Sequence, residues 1–576
     1  MNRSISRRFA SACMVSAFAA VAFAACQGQS EGKDAASVPD ATALADVTQP
    51  LVDAVVSDFV ADTAPDLVPD LVPDLVPDLV PDLVPDLAAD ATQTTDAPDA
   101  ATLAAAEAAS VLQHHHHANR DGAYVEPALT HAAAANFHID KSFSAKTLGQ
   151  TYAQPLFAVG GPGGKDALIV ATEHNVVYAF DAQGGAILWQ TPPLGAPVPL
   201  AKLPCGNIDP LGITGTPILD LAQRTIYLDA MTTPDGGITK AHKVFALSLD
   251  DGAIRPGWPV DLNSTVKFTT FTFDSSLQNQ RGALALLGGI LYLPFGGHSG
   301  DCGSYRGWVV GIDTAHPDKV LAWATPATGG GIWGPSGLSS DGISIFATTG
   351  NTFGATAWWG GEAVFRFAAG PTFSGDNADY FVPANWLALD AQDLDLGGSA
   401  ALVVDVAGAQ RIVALGKDGV FYLLDRNNLG GIGGALATQP VATGEIIGAA
   451  ATYETGSGSY VAIRTATGSG VGCPAGSGNL FAVRIDATAK LHWCSPVQSL
   501  TSPIATTTNG TDEPIVWAAS SANGRLYGLD GETGALVFAG GGSGDVMSAV
   551  QYFQTPIVAK GRIFVAAQDE LFAFAP

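Results

Sequence analysis

The chain has 576 residues, of which 67 are glycine and 35 are proline, and only 14% are charged, so short strands and many turns are expected rather than long amphipathic helices. Its formal net charge of −27 argues against nucleic acid as a partner. Most of this charge is local, because residues 27–113 carry 17 acidic side chains and one lysine. The acidity therefore marks one segment rather than a whole surface.

The first 25 residues have the pattern of an export signal, with three arginines, an apolar run and small residues before Cys26. Residues 23–26, Phe-Ala-Ala-Cys, resemble the bacterial lipobox, in which the chain is cut before a cysteine that is then lipid-modified. Ordinary cleavage after Ala25 is the alternative. The lipobox predicts a signal peptide over 1–25 and an exported protein anchored to the cell envelope through Cys26, and Gln27 at the next position favours the outer membrane.

Residues 26–118 are predicted to form a disordered, acidic linker between the lipid anchor and a folded head. From Pro65 onward the motif PDL(V) occurs six times. A proline at every fourth position prevents a regular helix and favours extended chain. Four histidines, residues 114–117, lie at the end of this segment and are interpreted as a low-complexity run, with a metal site as the alternative.

A short turn-and-strand phrase recurs eight times after residue 150. It is centred on Pro155, Pro217, Ala283, Pro335, Ser399, Ala450, Pro503 and Pro556. Each phrase introduces about four short strands, which is one blade of a propeller. The eighth repeat contains only three strands, so residues 137–147 are expected to supply the strand that closes the ring. The prediction is an all-β protein, an eight-bladed β-propeller over residues 119–576.

The sequence VYAFDAQGGAILWQ, residues 177–190, resembles the repeat of the quinoprotein propellers, a family whose enzymes bind pyrroloquinoline quinone (PQQ). Trp189, Trp323, Trp493 and Phe538 stand at the matching aromatic position. The resemblance implies that these rings pack between neighbouring blades. Repeats of this kind also build propellers without enzymatic activity, including scaffold proteins of outer-membrane assembly, so the repeat predicts the fold and not the chemistry.

Four cysteines remain once the signal peptide is set aside: Cys205, Cys302, Cys473 and Cys494. In an exported protein they suggest up to two disulfides, for which three pairings exist. We favour 205–302 and 473–494. The sequence contains no CxxCH motif, so covalent c-type haem is not expected.

Polar residues cluster on segments that share one face of such a propeller, namely the connections between blades and the loops between second and third strands. The connections contain Asp209, Trp333, Asp393 and Asp395, and the loops contain His174, His298, Asp301, Asn351 and Lys417. Blades 4 and 5 would thus direct an acid, a lysine and a tryptophan toward one central funnel, which is the usual propeller site.

Several of these residues also match the quinoprotein alcohol and glucose dehydrogenases. The hairpin GKDGVFYLLDRNN, residues 416–428, resembles one in which the residue at Lys417 bonds the quinone oxygens. Asp393-Leu394-Asp395 resembles a turn whose first aspartate is the general base. The resemblance implies Lys417, Trp333 and Asp395 as cofactor-binding residues, Asp393 as catalytic base and Asn351 as a calcium ligand, with PQQ and calcium as cofactors.

Other features favour a protein without a cofactor. Residues 295–313 resemble exported quinoprotein-like propellers, a lipoprotein subgroup of unassigned function. No calcium-binding glutamate is identifiable, and no cytochrome segment could accept electrons. Two hypotheses follow: a cell-envelope propeller that binds a small molecule or a protein partner, or a PQQ-dependent dehydrogenase that oxidises an alcohol or a sugar. Under the first, Lys417 and Asp393 are ordinary turn residues.

Overall fold

The strands of the protein form eight small antiparallel sheets, which are the blades of a β-propeller. The computed structural model describes residues 99–520 and 522–576. Blade strands are apolar on both sides because each sheet is covered by the blades next to it, and Ala167–Ala171, for example, is buried at every position. The all-β, eight-bladed prediction is confirmed.

The strands of each blade follow one another in sequence from the channel outward. Blade 1 consists of Leu156–Ala158, Ala167–Ala171, Val177–Asp181 and Ile187–Gln190. Blade 2 consists of Ile218–Asp220, Thr225–Thr232, Ala241–Ser248 and Val260–Asp261. Blade 3 consists of Ala285–Leu287, Ile290–Gly297, Trp308–Asp313 and Val320–Ala324, with Gln278–Asn279 added to its second strand. Blade 4 consists of Ser339–Ser340, Ile345–Thr348, Val364–Phe367 and Tyr380–Val382, with Gly431–Ile432 parallel to the last.

The second half of the ring repeats this arrangement. Blade 5 consists of Leu402–Val406, Ala409–Leu415, Val420–Asp425 and Ala437–Pro440. Blade 6 consists of Ala451–Thr455, Gly458–Arg464, Leu480–Ile485 and Ala489–Cys494. Blade 7 consists of Ile504–Thr507, Ile515–Ser520, Arg525–Asp530 and Leu536–Phe538, with Ala123–Val125 parallel to its inner strand. Blade 8 begins with Ile557–Ala559, Arg562–Ala566 and Glu570–Ala575.

Short elements decorate the ring. A two-stranded hairpin pairs Lys267–Phe268 with Phe271–Thr272. The α-helices are Ala100–Ala108, His131–Ala134, Leu262–Thr265 and Trp386–Gln392. The 3-10 helices are Pro162–Gly164, Leu200–Lys202, Asn377–Asp379 and Leu396–Gly398. Among the described helices, none is long and apolar enough to cross a membrane.

The ring is closed by chain from before the first blade. His138–Ile139 and Ala145–Lys146 both pair antiparallel with Glu570–Ala575, the third strand of blade 8. The prediction that residues 137–147 complete the eighth blade is confirmed. Closure of this kind leaves no open edge between the last blade and the first.

The four repeat aromatics link successive blades, as the resemblance implied. The indole Nε1 of Trp189 donates to the Leu249 carbonyl of blade 2 at 2.8 Å, and that of Trp493 donates to the Gly531 carbonyl of blade 7 at 2.8 Å. Trp323 lies 5.0 Å from the Phe367 ring of blade 4, and Phe538 lies 6.5 Å from the Phe574 ring of blade 8. Each contact joins an outer strand to the third strand region of the next blade, which fixes the spacing of the ring.

The folded part begins earlier than the predicted boundary at residue 119. Asp99 caps the helix Ala100–Ala108 by accepting a hydrogen bond from the Thr102 amide at 2.8 Å. Val111 exchanges two backbone hydrogen bonds of 2.9 Å with Phe157 of blade 1. The prediction of a disordered linker is therefore wrong for residues 99–118, because their backbone is paired with blade strands. The predicted signal peptide, the lipidation of Cys26 and the PDL(V) repeats lie outside the described residues.

Residues 110–122, here called the plug segment, lie along the central channel beside the inner strands. The carbonyls of Ala118, Asn119, Asp121 and Gly122 accept from the amides of Ser340, Val403, Thr452 and Ala505, which belong to the inner strands of blades 4 to 7. Arg120 is fully buried and donates to the Leu338 and Leu284 carbonyls at 2.8 and 2.7 Å. Burial lowers the pKa of Arg120 to about 9, so its guanidinium stays charged at neutral pH.

The four histidines are part of the plug segment. His114 and His115 are 1% and 0% exposed, and their rings stack with centroids 4.8 Å apart. The interpretation of this run as low-complexity linker is wrong, since His114 and His115 are buried, the His116 ring stacks on Tyr124, and the exposed His117 pairs with Asp121. Within the described ranges 99–520 and 522–576, no group of three or more His, Cys, Asp or Glu side chains is placed to hold a metal ion.

Both favoured disulfides are present. Cys205 pairs with Cys302, which ties the connection between blades 1 and 2 to a loop of blade 3. Cys473 pairs with Cys494, which ties a loop of blade 6 to its own outer strand. The first disulfide borders the cleft described next and restrains the loop that forms one of its walls.

Candidate binding cleft on the face of the blade connections

A cavity of about 250 Å³ opens on the face formed by the blade connections. We call it the cleft, and it is lined by Arg281, residues 297–301, Tyr305, Trp333, Asp393, Asp395 and Lys417. These residues come from blade 3, from the connections before blades 3, 4 and 5, and from one loop of blade 5. The structure thus brings together Trp333, Asp393, Asp395 and Lys417 with His298 and Asp301, all of which the sequence placed on one face.

The ammonium group of Lys417 is the centre of an ion-paired cluster. Its Nζ lies 2.7 Å from Asp395 Oδ2 and 3.0 Å from Asp393 Oδ1, and it donates to the Asp393 carbonyl at 3.2 Å. A lysine ammonium has three N–H donors, so each of them has an acceptor within the protein. We call Asp393, Asp395 and Lys417 the lysine cluster.

Local backbone geometry places the members of the cluster. The helix Trp386–Gln392 ends at Asp393, which adopts the left-handed conformation (φ 57°) common at helix C-termini. The chain then turns at Asp395 into the 3-10 helix Leu396–Gly398. Lys417 lies in the hairpin turn that ends at Gly419, where φ is 72° and an added Cβ would lie 2.6 Å from the Ala442 carbonyl oxygen. The turn therefore needs glycine at this position, which explains Gly419 in the hairpin sequence without reference to a ligand.

Asp395 is 3% exposed, and its carboxylate is held on every side. Oδ1 accepts from the Asn351 amide at 2.8 Å, and Oδ2 accepts from the Trp333 indole at 3.1 Å as well as from Lys417. Burial raises the pKa of Asp395, and the Lys417 ammonium partly offsets that effect. Burial alone would lower the pKa of Lys417, but the two carboxylates outweigh it and raise that pKa, so the ammonium is charged at neutral pH.

Glu362, which the sequence analysis did not single out, lies beneath the cluster. It is fully buried, adopts a left-handed conformation (φ 52°) and accepts from the Leu396 amide through Oε2 at 2.6 Å. Burial, followed by the charge of Asp395, raises the pKa of Glu362 to about 9, so the group is protonated at neutral pH. The sequence feature that could have identified Glu362 is a single acidic residue just before an apolar strand, in a chain with few charged residues.

The blade 3 side of the cleft carries a second set of polar groups. Tyr305 donates its hydroxyl hydrogen to Asp301 Oδ1 at 2.6 Å. His298 is 1% exposed, and burial lowers its pKa to about 4, so it is neutral at physiological pH. Arg281 donates to the Asn207 amide oxygen at 3.4 Å, and its guanidinium lies 5.8 Å from the centre of the Phe553 ring. Arg281 lies two residues before Ala283 in the recurring phrase, but nothing in that phrase marks a charged side chain as functional, so the sequence analysis did not identify it.

Three residues proposed from the sequence are not among those that line the cleft. Asp209 accepts from the Leu200 amide at 2.9 Å within its own connection. His174 lies beside Gly149. Asn351 contributes its backbone N–H to Asp395. Its assignment as a calcium ligand remains a prediction.

Fold and cleft together define an eight-bladed β-propeller with a charged cleft on one face. The structure is similar to the quinohemoprotein alcohol dehydrogenase from Comamonas testosteroni, with a TM-score of 0.54 and 14% identity over 82% of this chain and 84% of that one. A europium-containing methanol dehydrogenase gives a TM-score of 0.58 and 15% identity over 83% of this chain and 100% of that one. BamB from Moraxella catarrhalis gives a TM-score of 0.46 and 14% identity over 76% of this chain and 100% of that one.

No protein-family model matches the chain, and no curated protein matches its sequence. At 14–15% identity the two dehydrogenases establish the fold alone, and the lower TM-score of the third protein adds nothing to that conclusion. The predicted resemblance to the quinoprotein propellers is therefore confirmed for the architecture, and function has to be argued from the cleft.

As arranged, the cleft does not fit PQQ with calcium. The three N–H donors of Lys417 are held by Asp393 and Asp395, so a quinone oxygen would have to displace one of them. PQQ carries three carboxylates and needs positive charge around it. The residues that line the cleft include two cations, Arg281 and Lys417, and three acids, Asp301 and the two of the lysine cluster. The volume is also below the range of about 300–1,000 Å³ that is usual for ligand sites.

Proposed function

We propose that the protein is a binding propeller of the cell envelope, exported and anchored through a lipid on Cys26, and that it uses no quinone. The observation that carries this proposal is the saturated Lys417 ammonium, since the group that would hold a quinone is occupied by the protein's own acids. Its partner is a small polar molecule bound in the cleft.

The charges of the cleft define the ligand that it would take. Arg281 has five donors on a planar guanidinium, and within residues 99–520 and 522–576 its one hydrogen bond is a long contact to the Asn207 amide, so it offers donors for an anionic group. The Asp393 side chain is 61% exposed, and Asp301 faces the same cavity. These carboxylates accept hydrogen bonds from ligand hydroxyl or ammonium groups. We therefore propose a small acid that also carries donors, such as an amino acid or a hydroxy acid.

A thermal-shift screen followed by calorimetry tests this ligand class. The exported chain without its signal peptide is expected to bind one or more amino acids or hydroxy acids, and Arg281→Gln is expected to weaken that binding about tenfold to a hundredfold. Arg255→Gln is the matched control, because Arg255 lines a different cavity. Hits that bind equally well to Arg281→Gln, or hits confined to neutral molecules, would contradict the proposal.

The anchor has a separate test. When the full chain is expressed in a bacterium and labelled with palmitate, the wild type is expected to carry label and to sediment with membranes. Cys26→Ser should lose the label, because a single residue provides the attachment. Labelling that persists in Cys26→Ser would show that the anchor lies elsewhere, and its complete absence from the wild type would favour ordinary cleavage after Ala25.

A PQQ-dependent dehydrogenase that oxidises an alcohol or a sugar is the second candidate. It is favoured by one observation: Trp333, Asp393, Asp395 and Lys417, to which the resemblance gives roles in that chemistry, line a single cleft. If PQQ bound, it would supply a two-electron acceptor. This chain would contribute Trp333 as an apolar surface and Asp393 as a proton acceptor.

A further inference from the structure

Three oxygen atoms of Asp393 and Asp395 surround the ammonium of Lys417. Asp395 Oδ2, Asp393 Oδ1 and the Asp393 carbonyl oxygen lie at 2.7, 3.0 and 3.2 Å from Nζ. Carboxylate and carbonyl oxygens are the ligands that calcium and other hard cations prefer, at about 2.3–2.6 Å. The same three atoms could thus hold a metal ion after an inward shift of about half an ångström.

The buried carboxylate of the cluster is held in place without help from the lysine, because Asp395 accepts from the Asn351 amide and the Trp333 indole. The helix end fixes the backbone of Asp393, whose carboxylate is 61% exposed and pairs with Lys417. An added Cβ at Gly350 would lie 2.9 Å from Asp395 Oδ1, so the backbone also closes tightly around this acid. Two carboxylates in such proximity, one of them buried, repel each other unless a cation lies between them.

We infer that the Lys417 ammonium takes the place of a metal ion in this cleft. The chain supplies its own cation, and the cleft is electrostatically complete without a metal. Removal of the lysine would expose a ready-made site for a hard cation at Asp393 and Asp395. This inference does not depend on which ligand the cleft binds, because it concerns only the charge balance of the lysine cluster.

Terbium luminescence tests the inference, because an indole next to the bound ion sensitises its emission. Trp333 is suited to this role, since its Nε1 lies 3.1 Å from Asp395. Lys417→Met is expected to show saturable sensitised emission that excess calcium abolishes, with at least tenfold tighter terbium binding than the wild type. Adding Asp395→Asn to this variant should remove the new emission, because one of the two carboxylates is then neutral.

Lys165→Met is the matched control, since it removes an ammonium that lies 3.0 Å from a single carboxylate, Asp181, on another cavity. It should leave terbium emission at the wild-type level. Wild-type emission equal to that of Lys417→Met would overturn the inference. So would a folded Lys417→Met without emission. Should Lys417→Met not fold in metal-free buffer, recovery of the fold in calcium supports the inference, and failure to recover contradicts it.

Discussion

Arg120→Leu is expected to lower the free energy of unfolding by about 3–5 kcal/mol, the largest effect of any single substitution considered for this protein. The guanidinium is fully buried and donates to the carbonyls of Leu284, Leu338 and His114 and to the side chain of Gln113. Leucine would leave three backbone acceptors buried without donors, and each unsatisfied group costs about 1–3 kcal/mol. Chemical denaturation followed by fluorescence gives the difference.

Arg484→Leu serves as the control for Arg120→Leu, because Arg484 is exposed on an outer part of blade 6. Its change should stay within about 0.5 kcal/mol. If both variants unfold at the same denaturant concentration, the plug segment does not contribute to stability in the way described. A chain that begins at residue 119 should also be markedly less stable than one that begins at residue 99, because it lacks the Val111 pairing with blade 1.

Glu362→Gln is expected to make the protein more stable than the wild type in alkaline buffer, by about 2–4 kcal/mol at pH 9. The pKa of Glu362 is raised in the folded state to about 9, from 4.5 in the unfolded chain. The folded state therefore binds more protons between these two values, and the stabilising contribution is complete below about pH 4.5 and declines as the pH rises toward 9. Glutamine resembles the protonated acid at every pH, so it avoids that loss.

The measurement is the free energy of unfolding of wild type and variant from pH 5 to pH 9. The two curves should diverge steadily as the pH rises, and the gap should be smallest at pH 5. Glu454→Gln is the control, because Glu454 is exposed and its variant should follow the wild type. Parallel curves for Glu362→Gln and wild type would show that the buried acid does not titrate in this range.

The plug segment lies beside the inner strands and reaches residues that precede them. The His115 amide donates to Gln154 Oε1 at 2.9 Å, and His114 Nε2 lies 3.3 Å from Thr555 Oγ1, just before the inner strands of blades 1 and 8. The cleft is formed by connections that precede the inner strands of blades 3, 4 and 5. A ligand therefore reaches the cleft from the connection face.

The repeat pattern predicted the architecture because a propeller is built from local signals. Pro155 and Pro556 each stand one residue before an inner strand, and the aromatic at each blade end packs on the next blade. The same repeat placed Trp333, Asp393 and Lys417 on one face, and the structure brings them into one cleft. In a closed ring of blades, the geometry of the ring determines which connections and loops lie next to each other.

What the sequence could not predict depends on contacts between distant parts of the chain. The plug segment is held by backbone carbonyls that meet strands more than 200 residues away, and a run of histidines carries no periodicity that would reveal it. Lys417 was placed on the correct face, but its partners could not be chosen from sequence. A shift of a few ångströms decides whether the Lys417 ammonium contacts a ligand or Asp395. Loop composition does not encode so small a difference in position.

The most direct test of the central claim is calorimetric titration of PQQ, with calcium present, into the exported chain beside Lys417→Ala. We expect no saturable binding at micromolar quinone by the folded wild type, because the Lys417 ammonium is already held by Asp393 and Asp395. Micromolar or tighter binding that is lost in Lys417→Ala would contradict it. That result would make Lys417 a cofactor contact and would assign the cleft to quinone-dependent oxidation of an alcohol or a sugar.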